Sequence, residues 1–194
     1  MSACLLRFRR LHRLALPLLA VLAAAAWAQG LPEAELKAQI LWRALQFVEW
    51  PAETAPAPPL QLCLLAPGPL AEALRGWDQR VLNSRRIELR RIGVGTAAGA
   101  GVAPGTPAPA PGALAAGCHI AYVGADAVLP APPPRGVLWV GDSHGLTERG
   151  VMLNLQPQQG RIVFDVELQA ARRAGLDINA RLLRLARYVR QEGS

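Results

Sequence analysis

A few short stretches of the 194-residue chain hold side chains that could do chemistry. Residues 141–145 read GDSHG, which sets Asp142, Ser143 and His144 in consecutive positions. A hydrolytic triad is assembled by side chains converging in space, and three neighbours along one backbone do not point at one another in that way. The stretch reads better as a turn after the apolar run VLWV, with Asp142 bonding local backbone amides. Residues 93–99, GVGTAAG, imitate a dinucleotide fingerprint. They follow a strand, but a Pro/Ala run comes next in place of the helix whose N-terminus would hold a phosphate. His119 lies in a strand-like run, where a lone histidine is more often structural. Cys63 and Cys118 are the two thiols beyond the N-terminal segment. In an oxidising compartment such an even pair reads as one disulfide, with two free buried thiols as the alternative. Two cysteines without neighbouring histidines fall short of a four-ligand metal set, and neither a metal nor another cofactor is expected.

The compartment itself is suggested by the N-terminus. RFRRLHR at 7–13 supplies a basic region, LALPLLAVLAAAA an apolar run too short to span a bilayer, and AWA at 26–28 a processing site. Residues 1–28 are therefore expected to be a cleavable secretory signal, and residues 29–194 an exported domain. Cleavage removes Arg7, Arg9, Arg10 and Arg13 and no acid, so the net charge falls from +7 to 7 − 4 = +3. The high pI then belongs mostly to the signal, and nucleic-acid binding loses its compositional support.

The exported part supplies the helices and strands that hold these groups. EAELKAQILWRALQFVEW has an apolar face of Leu36, Ile40, Leu41, Ala44, Leu45, Phe47 and Val48, and predicts an amphipathic helix stopped by Pro51. LQLCLLA, PLAEALRGW and RIELRRIG predict strand, helix, strand, the size of a βαβ unit with its two strands parallel. Residues 93–117 carry almost nothing but Gly, Ala, Pro, Thr and Val, which predicts a mobile loop. CHIAYVG and VLWVGD read as two buried strands. VMLNLQPQQGRIVFDVE reads as an antiparallel hairpin turning at Gly160, and LQAARRAGLDINARLLRLARYV as a closing amphipathic helix capped by Asp177 or Asn179. The fold class expected is α/β: a single domain with a mixed central β-sheet flanked by helices, a C-terminal antiparallel hairpin and an amphipathic helix.

Five residues are candidates for binding a partner. Trp42 falls among Glu35, Gln39, Gln46 and Glu49 on the polar side of the first helix, and tryptophan is enriched among binding hot spots. Glu49 and Trp50 stand at the helix end, where Trp50 could instead fold back over it. Arg161 and Asp165 are interleaved with apolar residues on the hairpin, a pattern that a half-buried strand with a solvated face also explains. Arg184, Arg187 and Arg190 read as the solvated side of the last helix.

The ordered set ILWRALQFVEWP, LQLCLLAPGPLAEALRG, RRIELRRI, GCHIAYVG, GVLWVGDSHGLTERGVMLNL and GRIVFDVELQAARRAGLDINARLLRLARYV resembles the YfiR-like family of exported bacterial proteins. The resemblance covers nearly the whole exported part. It implies a periplasmic α/β domain without enzymatic activity, which binds the periplasmic region of an inner-membrane diguanylate cyclase and represses cyclic di-GMP synthesis and biofilm formation. It also implies an outer-membrane lipoprotein as a competing partner, and a disulfide at the positions of Cys63 and Cys118. Self-association as a homodimer is a further expectation. A second cysteine pair that members carry after the C-H-I block has no counterpart here. The rival expectations are a periplasmic small-molecule binding module, its pocket formed by the strand ends and residues 141–150, and the hydrolase built on Asp142, Ser143 and His144.

Overall fold

The computed structural model describes residues 31–50, 59–92, 113 and 115–191. The signal expected over 1–28, the Pro/Ala connector and most of the loop expected over 93–117 lie outside them. Apolar runs of strand length supply the central sheet. β2 (Leu60–Leu64), β5 (Ile120–Tyr122) and β6 (Leu138–Gly141) are nearly continuous in apolar residues, as strands covered on both faces must be. β2 leads through α2 (Pro69–Leu74) and the short β3 (Val81–Leu82) to β4 (Arg85–Arg91), which lies parallel to it. The expected βαβ unit is present. β5 then lies against the other side of β2, β6 beyond it, and β7 (Leu153–Gln158) beyond that, all parallel. Among the described residues the sheet has eight strands, in the order β10 (Tyr188–Arg190), β8 (Arg161–Glu167), β7, β6, β5, β2, β4, β3.

β7 and β8 (Arg161–Glu167) form the antiparallel hairpin expected from the sequence. Gln159 and Gly160, with φ of 49° and 76°, occupy its two-residue turn, where both central positions require positive φ. One face of the sheet carries Leu62, Ile120 and Leu138 in register, followed by Val140, Leu153 and Val166. These residues are fully or almost fully buried, together with Leu41 and Leu45 of α1 (Glu33–Leu45) and Leu70 and Leu74 of α2. The residues from Glu33 onward thus share one hydrophobic core within a mixed α/β architecture.

Two elements differ from expectation. α1 ends at Leu45, well before Pro51. Gln46 and Phe47 turn the chain, and β1 (Val48–Glu49) pairs antiparallel with β9 (Asp177–Ile178), while the Asn179 N–H donates to the Phe47 carbonyl at 3.0 Å. A β-branched Val48 facing Ile178 favours that pairing over another helical turn. The closing helix is likewise broken up. α3 (Leu168–Arg173) is capped by Glu167, whose Oε1 accepts from the Ala170 N–H, and it stops before Gly175 at φ 76°. Asn179 caps α4 (Ala180–Leu183), as its sequence position allows, but α4 lasts a single turn. The chain then turns and adds β10 (Tyr188–Arg190) parallel to β8.

Candidate functional site

At the carboxyl ends of β5 and β6, side chains from three elements converge. The Tyr122 hydroxyl donates to Asp142 Oδ1 at 2.9 Å, and Lys37 Nζ donates to Asp142 Oδ2 at 3.1 Å. Lys37 also pairs with Glu33 one helical turn away, at 2.7 Å. Burial alone would push the Lys37 pKa down, but the two carboxylates together hold it above its ordinary value. Tyr122 is pushed up, first by burial and then by the neighbouring Asp142 charge. Strand order reverses at β2, where the chain goes first to β4 and then back past β2 to β5, and such switch points are the usual ligand crevices of open α/β sheets. Here Lys37, only 7% exposed, delivers its ammonium to Asp142 at those strand ends.

This geometry answers the question raised by GDSHG. Asp142 does not bond local amides, as its sequence context suggests; it ties α1 to β5. The Ser143 carbonyl accepts from Asn154 Nδ2 at 2.8 Å, and His144 is exposed. The three neighbours do not assemble into a relay. His119 is structural in a specific way. Its Nδ1 accepts from the Gln61 N–H at 2.9 Å while the His119 backbone N–H donates to the Gln61 carbonyl, so the side chain extends the β2–β5 ladder. Directly beside it, Cys63 and Cys118 form a disulfide with a Cα–Cα distance of 5.9 Å.

The candidate partner residues are dispersed. Trp42 is half-buried and packs edge-to-face on Trp77, ring centroids 5.1 Å apart and planes at 80°, and the Arg80 guanidinium lies 4.1 Å over its ring. Glu49 is exposed on β1. The Trp50 indole N–H donates to the Gly136 carbonyl at 3.1 Å, which folds that ring back onto the protein. Arg161 is exposed at the hairpin turn. Asp165 is placed inside: its carboxylate takes both Nε, at 2.8 Å, and a terminal nitrogen of Arg187, and it is 7% exposed. An unpaired carboxylate at that depth would be costly, and Arg187, just before β10, supplies the counter-charge. Arg187 is accordingly held above its ordinary pKa, chiefly by its hydrogen bonds to Asp165. It is therefore not part of a solvated helical face.

Sequence reasoning missed Lys37, Tyr122, Trp77, Arg80 and Arg187. One signal was legible for Lys37, which stands four residues before Leu41 and eight before Leu45 on the apolar stripe of α1. A lysine in that stripe needs a buried counter-charge. Nothing in sequence spacing pointed to Asp142, 105 residues away.

A family model described as YfiR/HmsC-like matches residues 34–187. No curated protein sequence matches the chain. Among solved structures, a conserved domain protein from Vibrio cholerae O1 biovar El Tor str. N16961 aligns with a TM-score of 0.45 and 12% identity, over 84% of this chain and 62% of that one. The chain thus spans less than two thirds of that protein. The family match runs from α1 to the end of the Asp165–Arg187 pair and takes in the disulfide and the strand-end cluster. By that match the chain belongs to the YfiR/HmsC-like family.

Proposed function

We propose that this protein is a non-enzymatic periplasmic regulator that binds the periplasmic region of an inner-membrane diguanylate cyclase and holds it inactive. The observation that carries the reading is the family match over residues 34–187. A disulfide buried in the central sheet agrees with an oxidising compartment, and among the described residues no helix is long and apolar enough to cross a membrane. Asp142, the acid of the stretch that most resembles a catalytic set, is held by Lys37 and Tyr122 while His144 is exposed, which favours binding over turnover.

Repression works by occupancy. A regulator shifts a cyclase toward its inactive population only by the difference in its affinity for the two states. A competing partner, such as an outer-membrane lipoprotein, relieves repression by capturing the free protein. On the α1–β1 side of the molecule Glu49 is exposed, and Trp42 is half-buried beneath Arg80. Cells that express the protein should gain cyclic di-GMP and biofilm when its gene is deleted, and lose both on complementation. Unchanged cyclic di-GMP in such a strain contradicts the reading.

A further inference from the structure

The polar side of α1 does not face open solvent throughout. Glu35, Gln39, Trp42 and Arg43 form one wall of a cleft of about 510 Å³, and Ala73, Gly76, Trp77 and Arg80, from α2 and the turn after it, form the other. Its charges are sorted along the helix. Glu35 lies in the first turn of α1 and Arg43 in the last, eight residues and about 12 Å apart. Arg80 stands with Arg43 beside Trp42. Among the described residues neither Arg43 nor Arg80 has a carboxylate partner, whereas Arg75 on the same turn is paired with Glu72. Arg80 instead rests on the Trp42 ring, its guanidinium carbon 4.1 Å from the centroid. The cleft wall opposite is open, since a Cβ on Gly76 would meet nothing within 4 Å.

We infer that this cleft docks an extended acidic segment of a partner protein, a carboxylate pairing with Arg80 and Arg43 and an adjacent apolar side chain covering Trp42. A carboxylate offers the guanidinium a bidentate, charge-assisted partner, which is stronger than its contact with the ring. Lifting Arg80 uncovers an aromatic face that Trp77 already holds in place. Tryptophan and arginine together are the residue types most enriched at binding hot spots. The inference rests on the regulatory reading above, and it adds the chemistry of the partner.

Trp42→Ala is a poor probe, because it also removes the packing on Trp77. Gly76→Tyr puts a ring into the cleft from a position where a Cβ meets nothing within 4 Å, and Arg43→Glu with Arg80→Glu reverses its charge. The purified chain is titrated with two fluorescein-labelled nonapeptides, one alternating Asp and Leu, the other Lys and Leu. The Asp/Leu peptide should bind at least about tenfold more tightly than the Lys/Leu peptide, a difference on the order of 1.4 kcal/mol. Gly76→Tyr and the double charge reversal should each abolish that preference with an unchanged melting temperature. Equal affinity for the two peptides, no binding of either, or full binding by both variants overturns the inference. Binding to phosphatidylglycerol vesicles through the same residues, without peptide binding, also overturns it and assigns the cleft to a membrane surface. In cells, a deletion that raises cyclic di-GMP and is fully reversed by Gly76→Tyr removes the cleft from the mechanism and leaves repression standing. A deletion without effect removes repression, and the cleft then stands or falls on the peptide titration.

Discussion

At the scale of single residues, buried charge decides what can be altered. Lys37 is held between Glu33 and Asp142, so Lys37→Met leaves Asp142 beside Tyr122 without its counter-charge. Breaking a buried pair by removing one partner costs about 3 kcal/mol or more, and urea denaturation of the variant should show a loss of that order. Tyr122→Phe removes a hydrogen bond to a charged group and should cost about 2 kcal/mol in the same assay. His119 makes stability depend on pH. In the folded chain burial, and secondly the Arg85 charge, hold its pKa below the ordinary 6.5. As pH falls through about 6.5 the unfolded chain takes up a proton that the folded chain refuses. The contribution of His119 is therefore full above that pH and declines below it, until the folded-state pKa is passed. His119→Asn keeps an acceptor near the Gln61 N–H and cannot titrate. Its melting temperature should fall less between pH 7 and pH 5 than that of the parent, and identical profiles would remove His119 from the account.

At the scale of elements, the C-terminal edge strand depends on its ion pairs. β10 has three residues, too few to hold themselves to a sheet through backbone bonds alone, and Arg187 and Arg190 anchor it to Asp165 and Glu167 of β8. Arg187→Ala should free β10 and cost about 2 kcal/mol, allowing for the partial exposure of the arginine. Hydrogen exchange checks this directly: amides 187–190 should lose protection while those of β5 and β6 keep theirs. The same strand shows where sequence and structure part. ARLLRLARYV has helical periodicity, and its first turn is helical behind the Asn179 cap, but the Asp165 carboxylate pulls Arg187 into the sheet and ends the helix. Val48 and Ile178 shorten α1 in the same way, through a contact made 130 residues apart in the chain. Local patterns were reliable where local chemistry decides, as in the β7–β8 turn, the βαβ unit and the buried runs of β5 and β6. They misled where a distant partner overrides propensity. The Trp42–Trp77–Arg80 arrangement was half legible, since an aromatic among polar residues marked Trp42 but nothing marked the residues that cover it.

At the scale of the whole molecule, the disulfide ties β2 to the start of β5, and the strand-end cluster ties α1 to β5 and the end of β6. Cys63 and Cys118 are 55 residues apart in sequence, and closing a loop of that length stabilises the folded state by roughly 4 kcal/mol in the chain-entropy model. Paired Cys63→Ala and Cys118→Ala should lower stability by about 2–4 kcal/mol, and the unaltered protein should titrate no free thiol from this pair when denatured. On the proposed reading, α1 and its cleft, packed on this sheet, are the surface offered to another protein. The most direct test of the account is cyclic di-GMP measured in cells that express the protein, in its deletion strain, and in that strain complemented. Cyclic di-GMP should rise on deletion and return with the parent gene but not with Gly76→Tyr. Cyclic di-GMP that stays level across all these strains would contradict the claim that this chain represses a cyclase.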